Sequence, residues 1–287
     1  MSSQSHRIKI SVGVPTRNRA PLLNRALASL HAQEVPPDEV LIGDNGSQDD
    51  TQEIVRTWSK KVPISKYLVH SKNIGPLANM LSLANAASGD YFLWLADDDI
   101  LESHHIATVI KFVKENPEAS MVGWTHSTRN YTTGEQTQSS IFPTISLKHS
   151  YFRNCSNYLG NPISSYFYSL FRREYLLHCS LVRWSSSGKL FDWMDCAFVI
   201  QSLLEVKAAF LPDHLAVYGI DSPERPRKTS DGCVVPPSHQ FNGSHWLAES
   251  TVSILRSPRI SLPQKALLLL KFWRTWHIVT SHSRRNE

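Results

Sequence analysis

Cysteine is scarce in this chain, with four among 287 residues: Cys155, Cys179, Cys196 and Cys233. None stands in a CxxC pair, so a zinc ribbon and a disulfide scaffold are both excluded as organising principles. Free thiols of that number suit a reducing, cytoplasmic setting. No run of eighteen apolar residues occurs, so no transmembrane helix is expected. The start, MSSQSHRIKISVGV, lacks an apolar core with a cleavage site, so no signal peptide is expected. Internal repeats and low-complexity tracts are also missing. Charged residues make up 19% and hydrophobic ones 41%, an ordinary globular balance. The net charge of +5 permits anionic partners without selecting one. No basic stripe or nucleic-acid motif is present, so nucleic acid is not an expected partner.

What is present is alternation. Residues 8–14, 39–42, 64–69, 91–95 and 119–124 are β-branched or apolar runs, and residues 19–33, 49–58, 77–87 and 103–114 carry apolar side chains at helical spacing. Strands alternating with helices predict βαβ units and an α/β fold with a mostly parallel sheet flanked by helices. The second half is less regular. Residues 125–150 read as an exposed loop or hairpin, 165–171 (SYFYSLF) as a strand, 192–205 as a helix, and 208–211 and 215–218 as two short strands. Residues 221–243 hold four prolines and are expected to form a long mobile loop, followed by helices at about 244–256 and 263–279. The predicted division is a domain at 1–220, with halves 1–125 and 126–220, then a loop and C-terminal helical extension at 221–287.

Open sheets of this kind bind ligands beyond the carboxyl ends of their strands. The tips are PTRNR at 15–19, DNGS at 44–47, HSKNIG at 70–75 and the acid run DDD at 97–99. Asp44, before a glycine turn, can accept hydrogen bonds from a base or ribose. Asn73 and Gly75 stand where a loop enters a helix, a ready anion site. The three aspartates can hold a divalent cation through oxygen, the remaining positions going to diphosphate and water. An acidic turn ahead of the helix near Ser103 is the plain alternative.

The stretches "VGVPTRNRAPLLNRALASLHAQEVPPDEVLIGDNGSQDDT" and "NIGPLANMLSLANAASGDYFLWLADDDIL" resemble the family 2 glycosyltransferases of the GT-A fold, over about residues 8–125. The resemblance implies a nucleotide-sugar donor, a UDP-sugar being favoured, and Mg²⁺ or Mn²⁺ as cofactor. It puts Pro15, Thr16, Arg17, Asp44, Asn73, Gly75 and Asp97 around the donor and Asp98 and Asp99 on the metal. Many relatives carry an acid at the position of Ala96, which shifts the register of the DxD-type motif. Alternation along an extended tip would pair Asp97 with Asp99, while alignment of the family's second acid selects Asp98; both remain open. The segment "KLFDWMDCAFVIQSLLEVKAAFLPDHLAVYG" resembles the part that supplies a catalytic base for inversion, with Asp195 favoured and Asp192 as alternative.

The implied activity is an inverting glycosyltransferase of the hexosyltransferase class, acting in polysaccharide, lipopolysaccharide or glycoconjugate biosynthesis on a carbohydrate or lipid-linked acceptor. A non-catalytic nucleotide-sugar-binding module is the second reading. A sugar nucleotidyltransferase is the third, and the missing glycine series in GVPTRNRAP argues against it. His104 and His105 are expected to be exposed residues of a first helical turn. Arg225, Arg227 and Lys228 could clamp a diphosphate from the basic loop. The last helix groups Leu262, Leu269, Phe272, Trp273, Trp276 and Val279 against Lys271, Arg274 and His277, with Arg284 and Arg285 beyond. It would either dock on the core or rest on a membrane at the inner face of the plasma membrane.

Overall fold

The computed structural model describes residues 7–138, 142–186, 194–220 and 244–283. The first strand, β1 (Ile10–Thr16), leads into helix α1 (Ala20–His31), with Pro21 in its first turn where no amide hydrogen is missed. There follow β2 (Glu39–Asp44), α2 (Thr51–Trp58), β3 (Ile64–Val69), α3 (Pro76–Ala86) and β4 (Tyr91–Trp94). These elements agree with the alternation in the sequence to within two residues. Beyond them the chain forms β5 (Ile100–Leu101), α4 (His105–Glu115), β6 (Met121–Asn130), β7 (Gln136–Gln138) and α5 (Tyr151–Gly160). A 3-10 turn at Ser164–Tyr168 precedes β8 (Leu170–Arg172), α6 (Arg173–Leu176), α7 (Ser180–Ser186), α8 (Met194–Glu205) and β9 (Ala208–Ile220). Two helices close the described chain, α9 (Ser244–Arg256) and α10 (Leu262–Ser283).

The strands join one sheet in the order β3-β2-β1-β4-β8-β6-β9-β5, with β7 paired to β6. From β3 to β4 every pairing is parallel, as βαβ connections require. The remainder is mixed, within a sheet that the sequence predicted as mostly parallel. β8 runs antiparallel to both β4 and β6, and β5 antiparallel to β9, while β6 and β9 are parallel.

Three local expectations fail. The alternating SYFYSLF is not one strand: its first part winds into the 3-10 turn, which lets the consecutive Tyr166 and Phe167 both be buried. The two short strands at 208–218 are one, β9, which absorbs Pro212 through irregularities opposite Trp124 and Thr125. His105 is fully buried rather than exposed, with Nδ1 2.9 Å from Leu215 O and its ring edge-on to Trp124 at 4.3 Å. Burial pushes its pKa down to about 4, so it is a neutral core side chain.

The sheet separates two cores by simple alternation. Along β4, Tyr91 and Leu93 face α1 and α4, whereas Phe92 and Trp94 face the other way. On that second face Trp94 stacks on Phe167 at 5.4 Å, and Phe167 meets Phe198 of α8. Ile254 of α9 and Leu268 and Phe272 of α10 complete the same core. Both cores stop at the carboxyl ends of β1, β2 and β4, where polar tips take over.

Candidate active site

Because β1 lies between β2 and β4, three strand tips sit side by side. Thr16 is in register with Asp44, and Asn45 N donates to Thr16 O at 3.0 Å. After β4 the chain does not stay extended. Asp99 N bonds back to Ala96 O at 3.1 Å and closes a turn around the acid run. The expected alternation, with Asp97 and Asp99 on one side, is therefore replaced by turn geometry in which each carboxylate has its own surroundings.

Asp97, Asp98 and Asp99 are all buried, at 3%, 6% and 5% exposure. Such a cluster needs compensation. Asp97 receives it from α1 and β1: Arg19 Nη1 lies 2.9 Å from Oδ1, and Thr16 Oγ1 donates to Oδ2 at 2.8 Å. Burial still holds the Asp97 carboxyl above the usual carboxylate range, opposed by the Arg19 charge. Asp99 Oδ1 accepts from Gly219 N at 2.9 Å, which ties the turn to the end of β9. A methyl group at Gly219 would stand 2.3 Å from Asp98 O, so that approach requires glycine. Arg25 lies over the Tyr131 ring at 4.3 Å, and that ring is close enough to Asp98 and Asp99 to feel their charge.

The second tip is equally ordered. Asp44 Oδ1 accepts from Ser47 N at 2.8 Å, and Oδ2 accepts from Tyr67 Oη of β3 at 2.8 Å. Burial and this acceptor raise the Tyr67 pKa, which keeps the phenol protonated as donor. Asn45 Nδ2 donates to Asn73 Oδ1 at 2.8 Å, and Gly75 N donates to the same oxygen at 2.9 Å. Asn73 is thus a tether between the second and third tips. Gly75 caps α3 with φ 89°, a value that favours glycine, and a Cβ there would meet nothing within 4 Å. Pro15 and Arg17 are half-buried beside Thr16.

Asp195 stands in the first turn of α8, partly buried, with Oδ1 accepting from Cys196 N at 2.7 Å. Burial raises its pKa above the ordinary carboxylate range. Asp192, the alternative base, lies outside the described residues, as do Arg225, Arg227 and Lys228. The second half also carries an aromatic group, in which Phe142 is 5.3 Å from His126 and Tyr166 stacks on Phe210 at 3.8 Å. Tyr218 of β9 is 4.3 Å from His126 and 6.1 Å from Tyr168, and a cleft beside it is lined by Phe142, Tyr166, Phe210 and Pro212.

Arg19, Tyr67, Tyr131 and Gly219 were not singled out from the sequence. Arg19 had one available signal, a cation at the tip beside the strand that carries the acids. The partners of Gly219 and Tyr131 are too distant along the chain for any pattern to show. Among the described residues, no three His, Cys, Asp or Glu side chains are grouped as a complete metal shell.

Residues 11–179, more than half of the chain, match the family described as glycosyl transferase family 2. The chain belongs to that family. Its curated relatives include the GalNAc(5)-diNAcBac-PP-undecaprenol beta-1,3-glucosyltransferase of Campylobacter jejuni, 34% identical over 108 residues, covering 37% of this chain and 35% of the relative. Another is the abequosyltransferase RfbV of Salmonella typhimurium, 36% identical over 102 residues, covering 34% of this chain and 30% of the relative. The matches span about a third of the length of these relatives. The whole described fold resembles S. aureus TarS 1-349 in complex with UDP-GlcNAc, with a TM-score of 0.69, 20% identity, and coverage of 93% of this chain and 72% of that one. The architecture is thus the GT-A fold of family 2, including its mixed second half.

Proposed function

We propose that this family 2 chain transfers a sugar from a nucleoside diphosphate donor to an acceptor hydroxyl, with inversion at the anomeric carbon. The observation that carries the reading is the convergence of Thr16, Asp44 and the acid turn on one edge of the sheet, through the Thr16–Asp97 bond and the Thr16–Asp44 register. Asp44 spends one hydrogen bond on each oxygen within the chain, and a carboxylate retains further acceptor capacity for a base or ribose. Pro15, Thr16, Arg17 and the tether at Asn73 and Gly75 bound the same space. A uridine donor is supported by the solved S. aureus TarS complexes with UDP and UDP-GlcNAc.

A Mg²⁺ or Mn²⁺ ion fits the acid turn. Such ions are held through one or two carboxylates plus phosphate oxygens and water, so an incomplete protein shell is what this use calls for. Asp98 and Asp99 of the acid turn are the residues that would hold the ion, while both oxygens of Asp97 accept bonds from Arg19 and Thr16. When bound, it would neutralise charge on the leaving diphosphate. Asp97 acts by fixing Arg19 and Thr16 against the turn.

Asp195 accepts the proton of the acceptor hydroxyl. Its raised pKa brings a carboxylate nearer to the working pH, the condition under which general base catalysis is efficient. The acceptor would lie against the wall of Phe142, Tyr166 and Phe210, since ligand sites are lined mainly by apolar and aromatic side chains with a few polar groups. A carbohydrate, lipid-linked in the membrane, is supported by the undecaprenol named in the C. jejuni relative. The place of action is the cytoplasm, in polysaccharide or other glycoconjugate assembly. Cys155, Cys179 and Cys196 are buried free thiols, as in a reducing compartment, and no described helix is long and apolar enough to cross a membrane.

The test is transfer and donor hydrolysis across a panel of nucleotide sugars. Asp195→Asn should lower kcat by roughly a hundredfold or more with UDP binding intact. Asp98→Ala should weaken UDP binding only when Mn²⁺ is present. Full activity in both variants would end the reading. Metal-dependent UDP binding without any turnover would favour the non-catalytic module.

A further inference from the structure

The sequence groups Phe272 and Trp273 on one face of the last helix, and the structure separates them. Leu268 and Phe272 are fully buried against the core. Lys271 Nζ donates to Ser156 Oγ at 3.2 Å and Thr275 Oγ1 to Leu159 O at 2.7 Å, which fixes the rotation of α10 on α5. The opposite side is left out in solvent and is apolar. Leu262 is 77% exposed, Leu267 57%, Leu270 63% and Trp273 52%, and Leu255 at the end of α9 adds 49%. A contiguous exposed ridge of that kind marks an interaction surface.

The charge around it says what covers it. From Ser250 to Asn286 the chain has no Asp or Glu, and seven Lys or Arg. Arg256 and Arg274 are exposed and adjoin these residues in the sequence, whereas the Arg259 guanidinium lies over the Tyr151 ring at 5.4 Å. A second copy of the chain packed on this face by two-fold symmetry would bring the patch against itself, positive rim to positive rim. An acidic lipid surface has the opposite charge everywhere and accepts Leu and Trp at the acyl boundary. Since no described helix is long and apolar enough to cross a membrane, α10 would lie in the plane of the interface.

We propose that the ridge formed by Leu255, Leu262, Leu267, Leu270 and Trp273 seats the protein on an anionic phospholipid bilayer, with Arg256 and Arg274 at the headgroups. The apolar residues supply insertion and the arginines select the surface charge. None of these residues belongs to the catalytic edge of the sheet, so their loss should leave donor hydrolysis unchanged.

The experiment is co-sedimentation of the full chain with phosphatidylcholine vesicles and with vesicles enriched in phosphatidylglycerol. The parent should bind the second kind only, and high salt should release it as the screening length falls. Leu267→Glu with Leu270→Glu, and separately Arg256→Glu with Arg274→Glu, should each weaken binding by roughly tenfold or more. Circular dichroism melts and donor hydrolysis of both variants should match the parent. The proposal is overturned by absence of vesicle binding, by equal binding to both vesicle types, or by a dimer in sedimentation that Leu267→Glu dissolves. The readout is partitioning, so its failure is distinct from failure of the transferase reading.

Discussion

Acidification should reveal His105 as a destabilising group, and the amount can be worked from its surroundings. Nδ1 is bonded to Leu215 O, Nε2 is buried without a partner, and the folded pKa is pushed down to about 4 from an ordinary 6.5. The sign follows from proton uptake. Above the ordinary value neither the folded nor the unfolded imidazole is charged, and the site costs nothing. Below it the unfolded chain takes up a proton that the folded one refuses, so stability is lost as pH falls from the ordinary value toward the folded one. At about pH 5 the loss relative to neutral pH is about 2 kcal/mol. His105→Phe removes the titration and keeps an aromatic edge toward Trp124. Leu215 O still accepts from Glu102 N, so the substitution should cost under about 1 kcal/mol near neutral pH. The variant should be slightly less stable than the parent near pH 8 and more stable near pH 5, with the curves crossing between. Urea unfolding followed by circular dichroism at a series of pH values measures this directly. His126, also held down to about 4 by burial, is present in both proteins and cancels in the difference. A gap between parent and variant that does not change with pH would refute the reasoning.

Two further predictions concern the acid turn. Arg19→Ala leaves the 3%-exposed Asp97 without its cation; since Arg19 is 25% exposed, the low end of the range for broken buried pairs applies, about 3 kcal/mol. Denaturant midpoints should show it, and a loss below about 0.5 kcal/mol would mean that water already compensates Asp97. Gly219→Ala should push the turn away from β9, at a stability cost of about 1–3 kcal/mol and with weakened metal-dependent UDP binding by calorimetry. Unchanged UDP affinity would show that the turn tolerates the displacement.

The first half was legible because each strand and helix carries its own period, and the order of strand tips followed from topology alone. The acid run was harder. Alternation assumes extended backbone, and one hydrogen bond from Asp99 N to Ala96 O turned three equivalent carboxylates into three different ones. The pairing of Arg19 with Asp97 spans 78 residues and that of Gly219 with Asp99 spans 120, distances at which local pattern is silent. In the second half, SYFYSLF alternates like a strand but is decided by the burial of the consecutive Tyr166 and Phe167 in one and the same core. The missed α5 did carry a signal: Ser150 caps it by accepting from Arg153 N, and Tyr151, Cys155, Tyr158 and Leu159 recur at helical spacing. Likewise the rotation of α10 depends on where Lys271 and Thr275 find partners, which no helical wheel contains.

The clasp between Asp99 and Gly219 has a consequence for the order of assembly. The parallel strands β1 to β4 can associate once β4 has left the ribosome, since β1 pairs with both β2 and β4. The acid turn cannot be completed then. Its far side waits for β9, which arrives after 120 more residues and also supplies the only partner of β5 among the described strands. A nascent or truncated chain ending before β9 would hold a nearly finished sheet with an open, charged edge. The acid turn would therefore be completed late in synthesis and all at once, when Val217 and Gly219 close over Ile100 and Asp99.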